Sequence, residues 1–359
     1  MPPGPSTVSI LGTGLIGASL GLALRRRFPE IEVVGSDPNA AHAKTALARG
    51  AVSRLASPAQ AAAVGDLVVL AAPLDALPDL LATAAAHARP GALVTDVGSV
   101  KASVMAAARA RPGLRFVGGH PMAGAAVGGP EQADALLFEN AVYVLTPEDP
   151  ASPPPEALWL VDAVGARVVV MDAERHDRAV AAVSHLPQLL AVALVEAAAE
   201  AGDDALALAA GGFRDMTRIA GSPFSTWGPI LRDNRGAVLA ALDGFQRQLD
   251  AVRRAVADDA HALAPAFEHA GQTRASLPSA SKGSLAPLAD IVVWADDRPG
   301  FLHALTGTIA GAGLNVRDAE LLRVRSGEIG TFRFGFETAG DADAAVTALG
   351  ADGYRAERR

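Results

Sequence analysis

The chain has 359 residues, half of them apolar, a formal charge of −8 and no cysteine. That length predicts two or three domains, because single hydrophobic cores stop growing at roughly 250 residues. The acidic balance argues against a nucleic-acid or anionic-membrane partner, and the lack of cysteine excludes disulfides, thiolate nucleophiles and cysteine-ligated metals.

The first residues, "MPPGPSTVSILGTG", have no basic segment followed by an apolar one and run directly into a strand. No uncharged stretch reaches membrane-spanning length, so a soluble cytoplasmic protein is expected. From Thr7 to Asp172, strand-like runs such as "TVSIL", "IEVVGS", "DLVVLAAP" and "ALVTDV" alternate with helical stretches such as "LIGASLGLALRRR" and "VKASVMAAARA". That alternation predicts an α/β, Rossmann-like, doubly wound and mainly parallel sheet over residues 1–172. Between Ala173 and Thr273 the strand runs vanish, which predicts an all-helical domain over residues 173–273. A helix as poor in polar residues as Ala179 to Ala199 requires burial, in a large core or a dimer interface. A second long helical pattern spans Arg235 to Glu268. The Ser/Pro/Gly stretch "RASLPSASKGSLAP", residues 274–287, reads as a linker. Over residues 288–359 strand, helix, two strands, helix and a short strand follow one another, the order of a ferredoxin-like βαββαβ sandwich.

The first chemical motif is "VSILGTGLIGASL", in which Gly12, Gly14 and Gly17 follow G-x-G-x-x-G order between a strand and a helix. Gly12 allows the tight turn, Gly14 lets backbone approach a pyrophosphate, and Gly17 lets helix and strand pack closely. Asp37 ends the second strand, where a carboxylate binds a ribose 2′-hydroxyl and repels a 2′-phosphate, so NAD is favoured over NADP. A second loop, "TDVGSVKAS", leaves the carboxyl end of another strand and brings Asp96, Gly98, Ser99 and Lys101 to the ligand edge of the sheet. Ser99 is either a substrate contact or the N-cap of the following helix. Lys101 is one of only three lysines, beside Lys44 and Lys282, in a chain that otherwise uses arginine, so its place in this loop is informative.

In "VGGHPMAG", His120 lies between glycines and a proline that restricts it to extended backbone. It is either incidental to a turn or an imidazole poised to accept a proton from an alcohol as hydride leaves the same carbon. In "GGFRDMTRIA", Arg214 and Arg218 are four residues apart and share a face if helical, suited to a carboxylate or to a salt-bridged solvent face. His185 of "SHLPQ" sits on an apolar helix, where a histidine is more often a hydrogen-bonded core residue. His176, beside Asp177, reads as the first turn of a helix capped by Asp172.

Taken in order, "GTGLIGASL", "DVGSVK", "GGHPMAG", "SHLPQ" and "GGFRDMTRIA" resemble the prephenate dehydrogenases of tyrosine biosynthesis, over residues 7 to about 270. The tail, through "DDRPGFLHALTGTIAGAGLNV", resembles an ACT domain, a ferredoxin-like amino-acid sensor. The resemblance implies NAD-dependent oxidative decarboxylation of prephenate to 4-hydroxyphenylpyruvate. His120 would be the base and Ser99 would hold the ring hydroxyl. Arg218 would anchor the pyruvyl carboxylate, with His185, Arg214 and Lys101 also at the substrate. Leu15 and Ile16 join Gly12, Gly14, Gly17, Asp37 and Ser99 at the cofactor. Asp297, Arg298, Pro299, Gly300 and Asn315 would form the effector site, with L-tyrosine the expected effector, and the helical domain would make a homodimer. Three departures bear on substrate choice: Ala125 and Ala126 replace a carboxylate-bearing segment, Gln188 stands where a second histidine is common, and Pro223 where an aspartate is common. An arogenate dehydrogenase, or a non-catalytic sensor of dinucleotide and amino acid on the same fold, are the alternatives.

Overall fold

The structure is a computed structural model that describes residues 4–124, 128–276, 288–295, 298–323 and 330–358. It divides into two compact units, Met1–Asp259 and Ala260–Arg359.

In the first unit the described residues form an eight-stranded sheet in the order β3-β2-β1-β4-β5-β6-β7-β8. The strands are β1 (Thr7–Leu11), β2 (Glu32–Ser36), β3 (Arg54–Leu55), β4 (Leu67–Leu70), β5 (Leu93–Asp96), β6 (Phe116–Pro121), β7 (Val142–Thr146) and β8 (Arg167–Val170). Helices α1 (Leu15–Arg27), α2 (Ala40–Ala48), α3 (Pro58–Val64), α4 (Leu77–His87), α5 (Ala102–Arg109) and α6 (Pro155–Ala163) cross between them. Strands β1 to β6 pair in parallel, β7 runs antiparallel to β6, and β8 is parallel to β7.

The central strands are sealed on both faces, which is why they read as continuous apolar runs rather than alternating ones. Their two-residue period sends Val8, Ile10, Leu67 and Val69 into one core and Leu11, Val68 and Leu70 into the other. The chain winds outward from β1 to β3 and then returns to β4 on the other side of β1. This reversal of strand order opens a crevice at the carboxyl ends of β1 and β4.

Residues 173–259 are helical: α7 (Ala173–Val180), a π-helical turn Ala181–His185, α8 (Leu186–Glu200), α9 (Asp203–Ala207), α10 (Gly211–Thr217), a 3-10 turn Arg218–Gly221, α11 (Phe224–Asp233) and α12 (Arg235–Asp258). Ile230 of α11 is buried in the second core and Trp227 packs against it, so this helix closes one face of the sheet.

Two features refine the reading of the helical region. Ala173–Glu200 is one continuous helical stretch of 28 residues, apolar enough by length and composition to cross a membrane, yet only partly buried within the chain. Only Gln188 and Ala191 of α8 are buried, and Val183 is 70 % exposed. Among the described residues no internal core covers the whole of this helix. The pattern from Arg235 to Glu268 is also not one helix. It breaks at Asp259, whose backbone is extended, and resumes as α13 (Ala264–Ser276) after a 3-10 turn. Asp258 and Asp259 bring negative charge to this helix C-terminus, which has no basic residue in its last turn, a combination unfavourable to the helix dipole.

In the second unit β9 (Ala289–Ala295), α14 (Phe301–Gly311), β10 (Asp318–Arg323), β11 (Gly330–Phe336), α15 (Ala339–Ala351) and β12 (Ala356–Arg358) give the expected βαββαβ order. The four strands are antiparallel in the order β10-β11-β9-β12. Phe334 and Phe336 on one face of β11 pack against Leu305 and Ile309 of α14 and Leu349 of α15. On the other face Arg333 is nearly buried and pairs with Asp290, Asp318 and Glu320.

Candidate active site

The glycine loop has the geometry its spacing implies. Gly12 has a φ of 108°, and a Cβ there would overlap the Ala71 carbonyl. A Cβ on Gly17 would overlap the Gly12 carbonyl, so the helix and the loop touch through backbone alone. Gly14 differs: no atom lies within 4 Å of where its Cβ would be, and it begins α1 without any side-chain cap. The free N–H groups of that helix end therefore face open space, the arrangement that receives a phosphate. Asp37 braces the loop, its Oδ2 accepting from the Thr13 N–H at 2.7 Å and its Oδ1 from the Asn39 N–H at 2.8 Å.

Gly14, Leu15, Ile16 and Ser99 line one cleft of about 530 Å3, closed on its far side by Thr226 and Pro229 of α11. Ser99 does not cap α5: that helix starts at Lys101 without a side-chain cap of its own. Its first N–H groups are taken instead by the Asp177 carboxylate of α7, Lys101 N–H at 2.8 Å and Ala102 N–H at 2.9 Å. The Ser99 hydroxyl, half-buried, has no hydrogen-bond partner among the described residues and is available to a ligand.

Behind the cleft lies a buried charge pair. Asp96 at the end of β5 and Lys101 are both fully buried and ion-paired. Asp96 also accepts from the N–H groups of Gly98 at 2.8 Å and Gly119 at 3.1 Å, while the Lys101 ammonium donates to the Gly119 carbonyl at 2.7 Å. The pair thus fastens the Ser99 loop to the His120 strand. This corrects the expectation that Lys101 contacts substrate, because its ammonium is spent inside the protein. Burial pulls that ammonium below its ordinary pKa, and Asp96 pulls it back. The contact also requires Gly119, since a Cβ there would overlap the Asp96 carbonyl.

His120 sits at the end of β6 beside this pair. Burial holds its imidazole well below the usual histidine pKa, and the Lys101 cation adds to the effect, with His176 and His185 behind it. Its Nδ1 lies 2.8 Å from Nε2 of His176, whose own Nδ1 lies 2.8 Å from Oδ1 of Asp177. His176 and Asp177 are both buried. The sequence places His176 in a helix turn capped by Asp172, and Asp172 does cap that turn, its side chain accepting from Arg175 N–H at 2.7 Å. Its contact with His120 was not foreseen from the sequence. A signal was present: Ala173, His176, Asp177 and Val180 follow i, i+3, i+4, i+7 spacing, which is one inward helix face.

His185 closes the π-helical turn just ahead of Pro187, whose missing N–H and bulky ring disturb regular helix there. It is buried, edge-on to the Trp227 ring at 5.9 Å, with its Nδ1 3.2 Å from the Asn234 amide nitrogen. The same amide nitrogen donates to the Asp177 carbonyl at 2.8 Å. Burial pushes the pKa of His185 down to about 4, so it is neutral at pH 7.

Arg214 and Arg218 stand apart from this cluster. Arg214 is in α10 and Arg218 opens the following 3-10 turn, so they do not share one regular helix face, and both are exposed. Arg218 has no ion-pair partner among the described residues. Its turn is held by Gln188, which donates to the Ile219 carbonyl at 3.0 Å.

In the second unit Arg298, Pro299 and Gly300 form the turn into α14, with Gly300 left-handed at φ 79° and the Arg298 guanidinium over the Phe301 ring. Asn315 is exposed beyond the same helix. Asp297 lies outside the described residues, as do Ala125 and Ala126.

Three family models match the chain in sequence order. They are the prephenate dehydrogenase nucleotide-binding domain over residues 20–170, the prephenate dehydrogenase dimerization domain over 172–268, and an ACT domain over 289–348. A prephenate dehydrogenase of Lactococcus lactis is 34% identical over 82% of this chain and 83% of its own. One of Bacillus subtilis is 32% identical over 93% of both. The crystal structure of a prephenate dehydrogenase from A. aeolicus in complex with hydroxyphenyl propionate and NAD+ is 30% identical, with a TM-score of 0.71, over 77% of this chain and 100% of that one. By this sequence and structural agreement, the chain belongs to the prephenate dehydrogenase family and carries a C-terminal ACT domain.

Proposed function

We propose that this protein is an NAD-dependent prephenate dehydrogenase whose ACT domain provides feedback control by tyrosine. The observation that carries the reading is an unpartnered Ser99 hydroxyl in the glycine-loop cleft, on a loop that the Asp96–Lys101 pair ties to the strand of His120, whose neutral ring is held by a hydrogen bond to His176. The residues present fit the cofactor: the open side of Gly14 and the uncapped end of α1 suit a pyrophosphate, and Asp37 suits an unphosphorylated ribose. NAD bound there would supply the hydride acceptor.

His120 accepts the proton of the ring hydroxyl, and Ser99 orients that hydroxyl toward it. The ring carbonyl formed by oxidation withdraws the electron pair of the ring carboxylate bond, so carbon dioxide leaves. The resulting phenolate recovers a proton, and His120 returns to its neutral form. Aromatisation makes the sequence effectively irreversible.

Arg218 anchors the pyruvyl carboxylate in this reading, and its unpaired, exposed guanidinium supports that role, with Arg214 one turn earlier in reserve. The neutral His185 lies one layer deeper, at the back of the substrate site. Arg218→Ala should raise the Michaelis constant for prephenate by about tenfold or more, through loss of a charge-assisted bond, and leave that for NAD near its original value. Equal changes for both substrates would remove Arg218 from the carboxylate site. The apolar face of Ala173–Glu200 is covered, in this proposal, by a second copy of the chain. Sedimentation should then give twice the 36.4 kDa mass of one chain, and a monomer at micromolar concentration would contradict it.

A further inference from the structure

We infer that His176 and Asp177 set the tautomer of His120, fixing its proton on Nδ1 and leaving Nε2 bare toward the substrate side. This inference rests on the reading of His120 as the base. It starts at Asp177, which is buried, with one oxygen accepting from Lys101 N–H and the other from Ala102 N–H. Both bonds come from the positive end of α5 and use a lone pair on each oxygen, a place suited to a carboxylate.

An ionised carboxylate can only accept, so the hydrogen in its 2.8 Å contact with His176 belongs to Nδ1 of that ring. A neutral His176 then has a bare Nε2. That atom lies 2.8 Å from Nδ1 of His120, and one hydrogen must stand between two ring nitrogens at this distance. It belongs to His120, which leaves Nε2 of His120 with its lone pair. The opposite arrangement needs a doubly protonated His176, 1 % exposed, in the same buried cluster as the Lys101 ammonium.

The chain Asp177–His176–His120 is therefore directional. When His120 takes a proton on Nε2 it becomes a cation that still donates from Nδ1, and the Asp177 charge stabilises it through one intervening ring. The two rings meet edge to face at 73°, so the bond also fixes the plane of His120. His176 and Asp177 are positioning residues, since nothing places them against substrate. The groups facing His120 are thus Lys101 from α5, with Asp96 of β5 behind it, His176 from α7 and His185 from the π-helical turn.

The test uses the full chain with isotope-labelled histidine, read by NMR at pH 7, with His120→Asn identifying the His120 resonances among the eight histidines. The expected wild-type result is a protonated Nδ1 and a bare Nε2 on His120. In Asp177→Asn an amide nitrogen turned to donate to His176, giving up the Lys101 N–H that meets the same oxygen, reverses the chain of hydrogens, and His120 should then carry its proton on Nε2. With prephenate and NAD, that variant should lose about 100-fold or more in kcat, as an aspartate-to-asparagine change does in a hydrolase triad by the same tautomer error, while both Michaelis constants change little.

Asp177 also caps α5, so His176→Phe provides a second route: it keeps the cap, removes the acceptor for His120 together with the His176 bond to Asp177, and should lower kcat at least about tenfold with both Michaelis constants retained. A wild-type His120 protonated on Nε2 overturns the inference, as does wild-type kcat in His176→Phe. Turnover retained in His120→Asn would instead overturn the reading of His120 as base, and the tautomer seen by NMR would still decide the hydrogen-bond chain.

Discussion

His120→Asn should yield a protein that folds and binds NAD normally but loses most of its turnover, by about 100-fold or more, because general-base catalysis contributes on that scale. Only a half-buried ring and one hydrogen bond to His176 are removed, so the sheet and the glycine loop keep their contacts. The same residue sets the acid limit of activity. Its base form is neutral, and burial together with the Lys101 cation disfavours the charged form, so protonation sets in below the ordinary histidine value of about 6.5. As pH falls, kcat should therefore hold through 6.5 and decline only below it. A pH profile of kcat whose acid limb lies at or above 6.5 would contradict this environment for His120.

Lys101→Met should destabilise the first unit by about 3–5 kcal/mol, the cost of leaving one partner of a buried ion pair alone. Methionine keeps most of the buried stem, so the loss isolates the charge. Asp96 would then face its buried surroundings with only the Gly98 and Gly119 N–H groups, and the Lys101 bond to the Gly119 carbonyl, one of the ties between the His120 strand and the Ser99 loop, would be lost. Denaturant unfolding followed by a probe in this unit measures the effect, and an unchanged midpoint would show that the pair is dispensable. Activity should fall as well, through the geometry of Ser99 and His120 rather than through a lost substrate contact.

Much of this architecture was legible in the sequence. Continuous apolar strands bounded by helical stretches imply a parallel sheet closed on both faces, and the spacing of Gly12, Gly14 and Gly17 records three different backbone approaches. The four strands of the tail followed from its element order, that of a βαββαβ sandwich.

What was not legible depends on contacts between distant segments. Lys101 looked like a ligand residue because nothing local says that Asp96 and Gly119 enclose it. His176 looked like part of a helix start because its partner, His120, is 56 residues away. The helix around Val183 was expected to be buried in a large core or in a dimer interface, because composition alone cannot tell the two apart. The inward spacing of His176 and Asp177 on α7 was the one clue within reach, and it needed a known neighbour to become chemistry.

The most direct measurement follows NADH absorbance when the purified full chain is given NAD with prephenate, then with arogenate, each with and without tyrosine. The account expects NADH from prephenate and its suppression by tyrosine. No NADH from either substrate, in protein that demonstrably binds NAD, would contradict it and leave a dinucleotide and amino-acid sensor as the function of this fold.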